Sequence, residues 1–387
     1  MSETVSIDPI ELTKSLISHP SVTPKDAGVL QELQNNLEKI GFQCTRYVFE
    51  EKGTDSVDNL FASYGDGSPH LCFGGHTDVV PVGNTDSWEN NPFESVIKDG
   101  KLYGRGAADM KSAIAAFTSA ASNFINSGKF NGTISLLITN DEEGPAINGT
   151  KKVLEAITRN GIKIDSCIVG EPTCPTKLGE MIKIGRRGSL SANLSVQGIQ
   201  GHVAYPQWTL NPIDGLTKIL NSIINTKLDE GTEDFPPSNI EIVKINADNT
   251  ADNVVPQSAT AQLNIRYNIL QSEDGLIDLL TTITNRELAN TEYKSKVEFR
   301  NSAAPFLTKE SEFTKKIKEA VDKVTGLKSI FSTTGGTSDA RFFKDYCEVA
   351  EFGLVGKTAH QVDEHVAVND IVNLAKIYEE IIRKYFN

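Results

Sequence analysis

The chain has 387 residues, 39% of them hydrophobic, and a formal net charge of -13. That length supports a sizeable core and suggests two domains, while the acidic balance and the lack of clustered Lys and Arg argue against nucleic acid or an anionic membrane surface as partners. The five cysteines (Cys44, Cys72, Cys167, Cys174, Cys347) are scattered without Cys-x-x-Cys spacing, which indicates neither a disulfide framework nor a thiolate metal site.

The polar start MSETVSIDPIELTKSLISHP has helical periodicity and lacks the basic opening and apolar core of a signal peptide, and no later apolar run approaches a membrane span. A soluble cytoplasmic protein is expected. Residues 8–18 and 28–39 carry apolar positions at helical spacing, and HLCFGG, TISLLITN and DSCIVGEP are short apolar runs ended by turn residues or acids. This alternation predicts a mostly parallel sheet covered by helices. After about residue 187 the texture changes, because SLSANLSVQG and TAQLNIRYN alternate apolar and polar residues as half-buried strands do. Helical patterns at 212–227 and 273–288 lie between strands, and KVEFR closes the series. The order strand, helix, strand, strand, helix, strand fits a small α+β, ferredoxin-like insert over 188–301, with 1–187 and 302–387 forming the main α/β domain. A helix at 311–325, the apolar run EVAEFGLV and a closing helix complete the chain.

Four strand-like segments each deliver an imidazole or an acid at their carboxyl ends. His76 follows LCFGG, Glu142 and Glu143 follow TISLLITND, Glu171 follows CIVG, and His360 follows EFGLVGKTA. Open α/β sheets place their ligand sites there. Asp109, in GRGAADMKSAIAAF, precedes a helix that could begin at Met110. Each residue has an ordinary use: Asp109 as an N-cap, the Glu pair as solvated loop acids, Glu171 as a turn residue and His360 as a surface histidine. Taken together, two imidazoles and three or more carboxylates fit a divalent metal site with nitrogen and oxygen ligands, with zinc, cobalt and manganese all possible. Asp78, two residues beyond His76, is placed to accept the second ring N–H of a metal-bound imidazole, although it could instead cap a turn before Pro81. One of Glu142 and Glu143 could bind metal while its neighbour moves the proton of an attacking water; spacing alone does not say which.

The ordered series GGHTDVVPVG, Trp88 with NPF, DGKLYGRGAADMKSAIAAF, DEEGPA, VGEPT, GHVAYP and GGTSDARF, with His360, resembles the dinuclear zinc amidohydrolase and peptidase family nearly end to end. The resemblance implies that His76 and Glu171 bind one zinc, that Glu143 and His360 bind a second, and that Asp109 bridges both. It makes Asp78 the orienting partner of His76 and Glu142 the general acid/base, and allows cobalt to substitute for zinc. It also implies a homodimer in which the insert serves dimerisation or closure and His202 of GHVAYP reaches the scissile carbonyl from the other subunit. Arg187, Asn253 and Arg266 match positions that grip substrate, and Thr334, Gly335, Gly336 and Ser338 match the loop that holds its amino acid end. RRGSL and GGTSDARF are most similar to the branch that hydrolyses N-succinyl-L,L-2,6-diaminopimelate; deacetylation of acetylornithine or a broader acyl-amino-acid hydrolysis is the alternative. Two local departures stand out: Ser112 replaces a usual glycine in DMKS, and VGKTAHQVDE differs from the more typical Asn-rich version.

Overall fold

A computed structural model describes residues 5–247 and 249–387. The strands His70–His76 and Thr133–Thr139 are buried at every position, as expected of strands covered on both faces. They pair in parallel with each other, His70–His76 pairs in parallel with Ser166–Val169, and that strand does so with Glu348–Glu351. These four form the centre of an eight-stranded sheet. Gln43–Phe49 and Val57–Tyr64 extend one side antiparallel, and Met181–Lys183 with Ile330–Ser332 completes the other.

Helix Ser112–Asn126 packs against helix Val368–Phe386 and against Pro9–Ile17. All of its first eleven residues, Ser112–Ser122, are buried, mostly as Ala and Ser, the signature of an internal helix rather than an amphipathic one. The Phe117 ring lies 4.5 Å from Phe73 of the sheet and 5.6 Å from Tyr378, centre to centre, which locks helix to sheet through aromatic contacts. Ser112 donates its hydroxyl to the Ala107 carbonyl at 2.6 Å. The unusual serine thus closes the turn that leads into this helix.

The chain divides into two compact units. One is Met1–Ile184 with Thr308–Ser332 and Ser338–Asn387; the other is Gly185–Leu307 with Thr333–Thr337. The second unit takes in residues 185–187, 302–307 and 333–337 beyond the 188–301 expected for the insert. Two contacts explain this: Phe306–Leu307 pairs antiparallel with Gly185–Arg186, and Arg186 donates to the Gly336 carbonyl at 3.1 Å. Its four-stranded antiparallel sheet runs Asn239–Asn246, Ser258–Tyr267, Gly188–Gln197, Lys294–Ala303. Helices Pro212–Ile224 and Glu273–Glu287 share one apolar cluster with Leu190, Leu194, Leu263 and Ile265 of the sheet. The connectivity and strand order are ferredoxin-like. Among the described residues no helix is long and apolar enough to cross a membrane.

Candidate metal centre

Three neighbouring parallel strands bring polar groups to one edge of the large sheet. His76 is the last residue of its strand, Glu142 and Glu143 follow Thr139 by three and four positions, and Glu171 follows Val169 by two. Parallel register puts these carboxyl ends side by side. Loop formation is itself specified: the Asp141 carboxylate accepts the N–H groups of Ala146, Ile147 and Asn148, and this curls the segment that presents the two glutamates.

Asp109 does not serve as an N-cap. Helix Ser112–Asn126 is preceded by an irregular turn in which Asp109 is extended, with φ -128° and ψ 97°. Its carboxylate divides between two imidazoles: Oδ1 lies 3.1 Å from His76 Nε2, and Oδ2 lies 3.2 Å from His360 Nε2. Each imidazole has a further acid. Glu143 Oε1 is 2.7 Å from His360 Nε2, and Glu171 Oε1 is 3.6 Å from His76 Nε2. One ligand atom from each of His76, Asp109 and Glu143 falls within 4.8 Å of the others, as do single atoms of His76, Glu142 and Glu171.

Asp78 orients His76 differently from the sequence expectation. The ring Nδ1 donates to the Asp78 main-chain carbonyl at 2.9 Å, while the carboxylate stands 3.6 Å away. The strand ends at His76, so the alternation that would have aligned the two side chains no longer applies at Asp78. The carboxylate accepts instead from the N–H groups of Glu142 and Glu143, at 3.3 and 3.0 Å. One aspartate therefore fixes the His76 tautomer and holds the glutamate turn.

The charges are crowded. Burial disfavours ionisation of Asp109, but hydrogen bonds from His360 and His76 prevail and hold its carboxyl below the usual range. His360 is pushed up to about 10 by Asp109 and Glu143. At His76 desolvation opposes the proton, yet the Asp109 and Asp78 contacts raise its pKa well above the ordinary value. Glu142 moves the other way from a normal carboxylate: burial and the neighbouring Glu171 charge raise it strongly. Five carboxyl groups, of Asp78, Asp109, Glu142, Glu143 and Glu171, thus share two imidazoles as their near counter-charges. A donor set of imidazole nitrogens and carboxylate oxygens, with one carboxylate split between two ligand groups, fits a pair of divalent cations.

Four residues that sequence reading passed over support this centre: Asp141 and Asn140 in the glutamate loop, Glu364 and Arg105 beneath Asp109. The Asn140 amide accepts from the Thr77 hydroxyl and donates to Asp26. Nothing in the spacing of a lone acid such as Glu364 marks it as buried.

The second unit holds most of the residues expected to meet substrate. His202 and Asn253 come together there, since Gly201–His202 pairs with Val254–Val255 and the Val203 N–H donates to the Asn253 carbonyl. His202 is exposed, its Nδ1 accepting from the Ala204 N–H at 3.1 Å. Arg187 donates to Asn239 at 2.9 Å, and Arg266 has its pKa lowered by burial and by the like charge of Arg187. Two adjacent guanidiniums under these conditions favour an anionic guest. Gly335 has φ +112°, and a Cβ there would lie 2.5 Å from Arg186 Nη1, so only glycine lets Arg186 approach the Thr334–Gly336 turn this closely. Ser338 does not join that turn. It is buried in the first unit and donates its hydroxyl to Glu351 at 2.5 Å.

Residues 72–384 match peptidase family M20/M25/M40, and the chain belongs to that family. A succinyl-diaminopimelate desuccinylase of Pelagibacter ubique is 51% identical over 97% of this chain and 98% of its own length. Among solved structures, a metallo-carboxypeptidase of family M20 from Sulfolobus solfataricus superposes with a TM-score of 0.82 at 20% identity, covering 98% of this chain and 99% of that one. A Bacillus subtilis protein described as a dinuclear metal binding peptidase of the same family superposes with a TM-score of 0.71 at 15% identity, covering 98% of each chain.

Proposed function

We propose that this chain hydrolyses the amide of N-succinyl-L,L-2,6-diaminopimelate to succinate and L,L-2,6-diaminopimelate, a cytoplasmic step of lysine and diaminopimelate biosynthesis, with two divalent metals per subunit, zinc foremost. The observation that carries the reading is the divided carboxylate of Asp109, with Oδ1 facing His76 and Oδ2 facing His360. The identity to a relative named for this substrate supports the choice of acyl group over the acetyl alternative.

His76 and Glu171 would hold one metal, His360 and Glu143 the other, and Asp109 would bridge them. When bound, the ions supply Lewis acidity to the scissile carbonyl and acidify a water. Glu142 accepts the proton of the attacking water and returns it to the leaving amine nitrogen. His202 donates to the oxyanion that forms at the carbonyl carbon, reaching it from the second subunit of a homodimer. Arg187, Arg266 and Asn253 grip the substrate's carboxylates, and Thr334, Gly335 and Gly336 offer main-chain groups to its amino acid end. In this reading the first unit serves catalysis, and the second, built around the 188–301 insert, serves dimerisation and closure.

The test is amine release from N-succinyl-L,L-diaminopimelate by zinc-loaded protein, run beside N-acetylornithine and a chelated control. Chelator-sensitive turnover confined to the succinyl substrate is expected. Preference for acetylornithine would overturn the substrate while keeping the chemistry.

A further inference from the structure

Glu364 lies in the loop that carries His360 and has no solvent exposure. All its hydrogen bonds reach back to the turn that carries Asp109. Oε1 accepts from the N–H groups of Ala108 and Asp109, at 2.8 and 3.1 Å, and Oε2 accepts from the Gly106 N–H at 3.1 Å and from Arg105 Nη1 at 2.8 Å. Its main-chain carbonyl accepts from the Gly104 N–H at 2.9 Å. Arg105, 2% exposed, returns the connection: the same Nη1 donates to the Gln361 carbonyl, next to His360, at 3.1 Å, and the guanidinium lies 5.1 Å from the centre of the Trp88 ring.

Asp109 and Met110 leave the helical pattern of their turn, and His360 and Asp363 have φ of +64° and +57°. A residue with a side chain holds such positive φ only where the surroundings favour it. Glu364 ties the two segments together, since its backbone belongs to one and its carboxylate binds the other.

We propose that Glu364, with Arg105, is a positioning residue that sets the separation of Asp109 from His360 and so governs uptake of the second metal in particular. This inference rests on the two-metal reading above. The first site shares Asp109 but depends less on Glu364, because its other two ligands, His76 and Glu171, end or follow paired strands that Glu364 does not touch. The second takes both Asp109 and His360 from the segments that Glu364 joins. Glu364→Gln keeps the shape but turns an amide N–H₂ toward one pair of donors, leaving them without an acceptor.

The experiment is competition titration of the metal-free full chain with Zn²⁺ against a chromophoric chelator, with thermal melting of the same metal-free samples. Wild type is expected to take up two ions. Glu364→Gln is expected to weaken the second by about 10- to 100-fold, the range typical of partners that support metal ligands, while the first stays close to wild type. Arg105→Lys, which leaves the carboxylate and its main-chain donors in place, is expected to weaken the same ion by less. Uptake of both ions by both variants with wild-type affinity would overturn the proposal. So would weakening of both ions in step with a general loss of thermal stability, the mark of a merely structural role. Uptake of fewer than two ions by wild type would instead bring down the two-metal reading itself.

Discussion

The candidate metal-ligand loops of the first unit and the Gly201–Trp208 stretch of the second treat polar groups in opposite ways. In the first, His76 and Asp78 are at most 1% exposed, and both side chains are hydrogen-bonded within the site. In the second, His202 is exposed beside Val203, Tyr205 and Trp208, which are 48%, 47% and 68% exposed. A reacting centre gains from donors fixed before substrate arrives, because no reorganisation is then needed as charge develops. A group that must meet substrate or a second subunit has to remain accessible until it does.

This contrast can be broken most sharply at Glu142. Glu142→Gln should lower kcat by about 10²- to 10⁴-fold, the usual contribution of a positioned acid/base, while zinc content measured by atomic absorption stays at the wild-type value. Loss of metal in that variant would make Glu142 a ligand and merge the two roles. His202→Ala should cost about 10²- to 10³-fold in kcat, the scale of one oxyanion donor, with zinc content unchanged and melting temperature little changed, because the ring's hydrogen bond from the Ala204 N–H lies at the surface. A fall in melting temperature would show that the exposed stretch is structural after all.

The smallest effect concerns pH. In the metal-free protein His360 titrates near 10 against an ordinary value of 6.5. A raised histidine stabilises the fold fully below about 6.5 and loses that contribution as pH climbs through about 10. The advantage in melting temperature of metal-free wild type over His360→Gln should therefore be largest near pH 6 and shrink toward pH 10, modestly, since His360 is partly solvated. Zinc affinity should run the other way, rising with pH because the ion must displace those protons. An advantage that grows with pH would contradict the assignment of His360 to Asp109 and Glu143.

The candidate positions were legible because buried parallel strands are nearly pure apolar runs, so an acid or imidazole after each stands out. His76, Glu142, Glu143 and Glu171 were nominated in that way, and so was His360, although its strand ends at Glu351 and a longer loop carries it. Asp109 was ambiguous, since an aspartate before a helix is ordinarily a cap, and only its extended backbone turns the carboxylate toward the two imidazoles. The ferredoxin-like unit was readable from its alternating strands, yet 333–337 joins it through Arg186 and Gly336, a contact 150 residues apart that no periodicity reveals. Ser338 shows the opposite limit: a motif neighbour of Gly336 belongs to the other unit and bonds Glu351. Asp78 acts on His76 through its main chain, which every residue possesses, and Glu364 acts through burial; neither property is written in residue type.

The central claim, that Asp109 lies between two metals, is tested most directly by anomalous diffraction from zinc-loaded crystals. The account predicts two peaks on opposite sides of the Asp109 carboxylate, one near His76 and Glu171 and the other near His360 and Glu143. A single peak, or a pair not separated by Asp109, would contradict it.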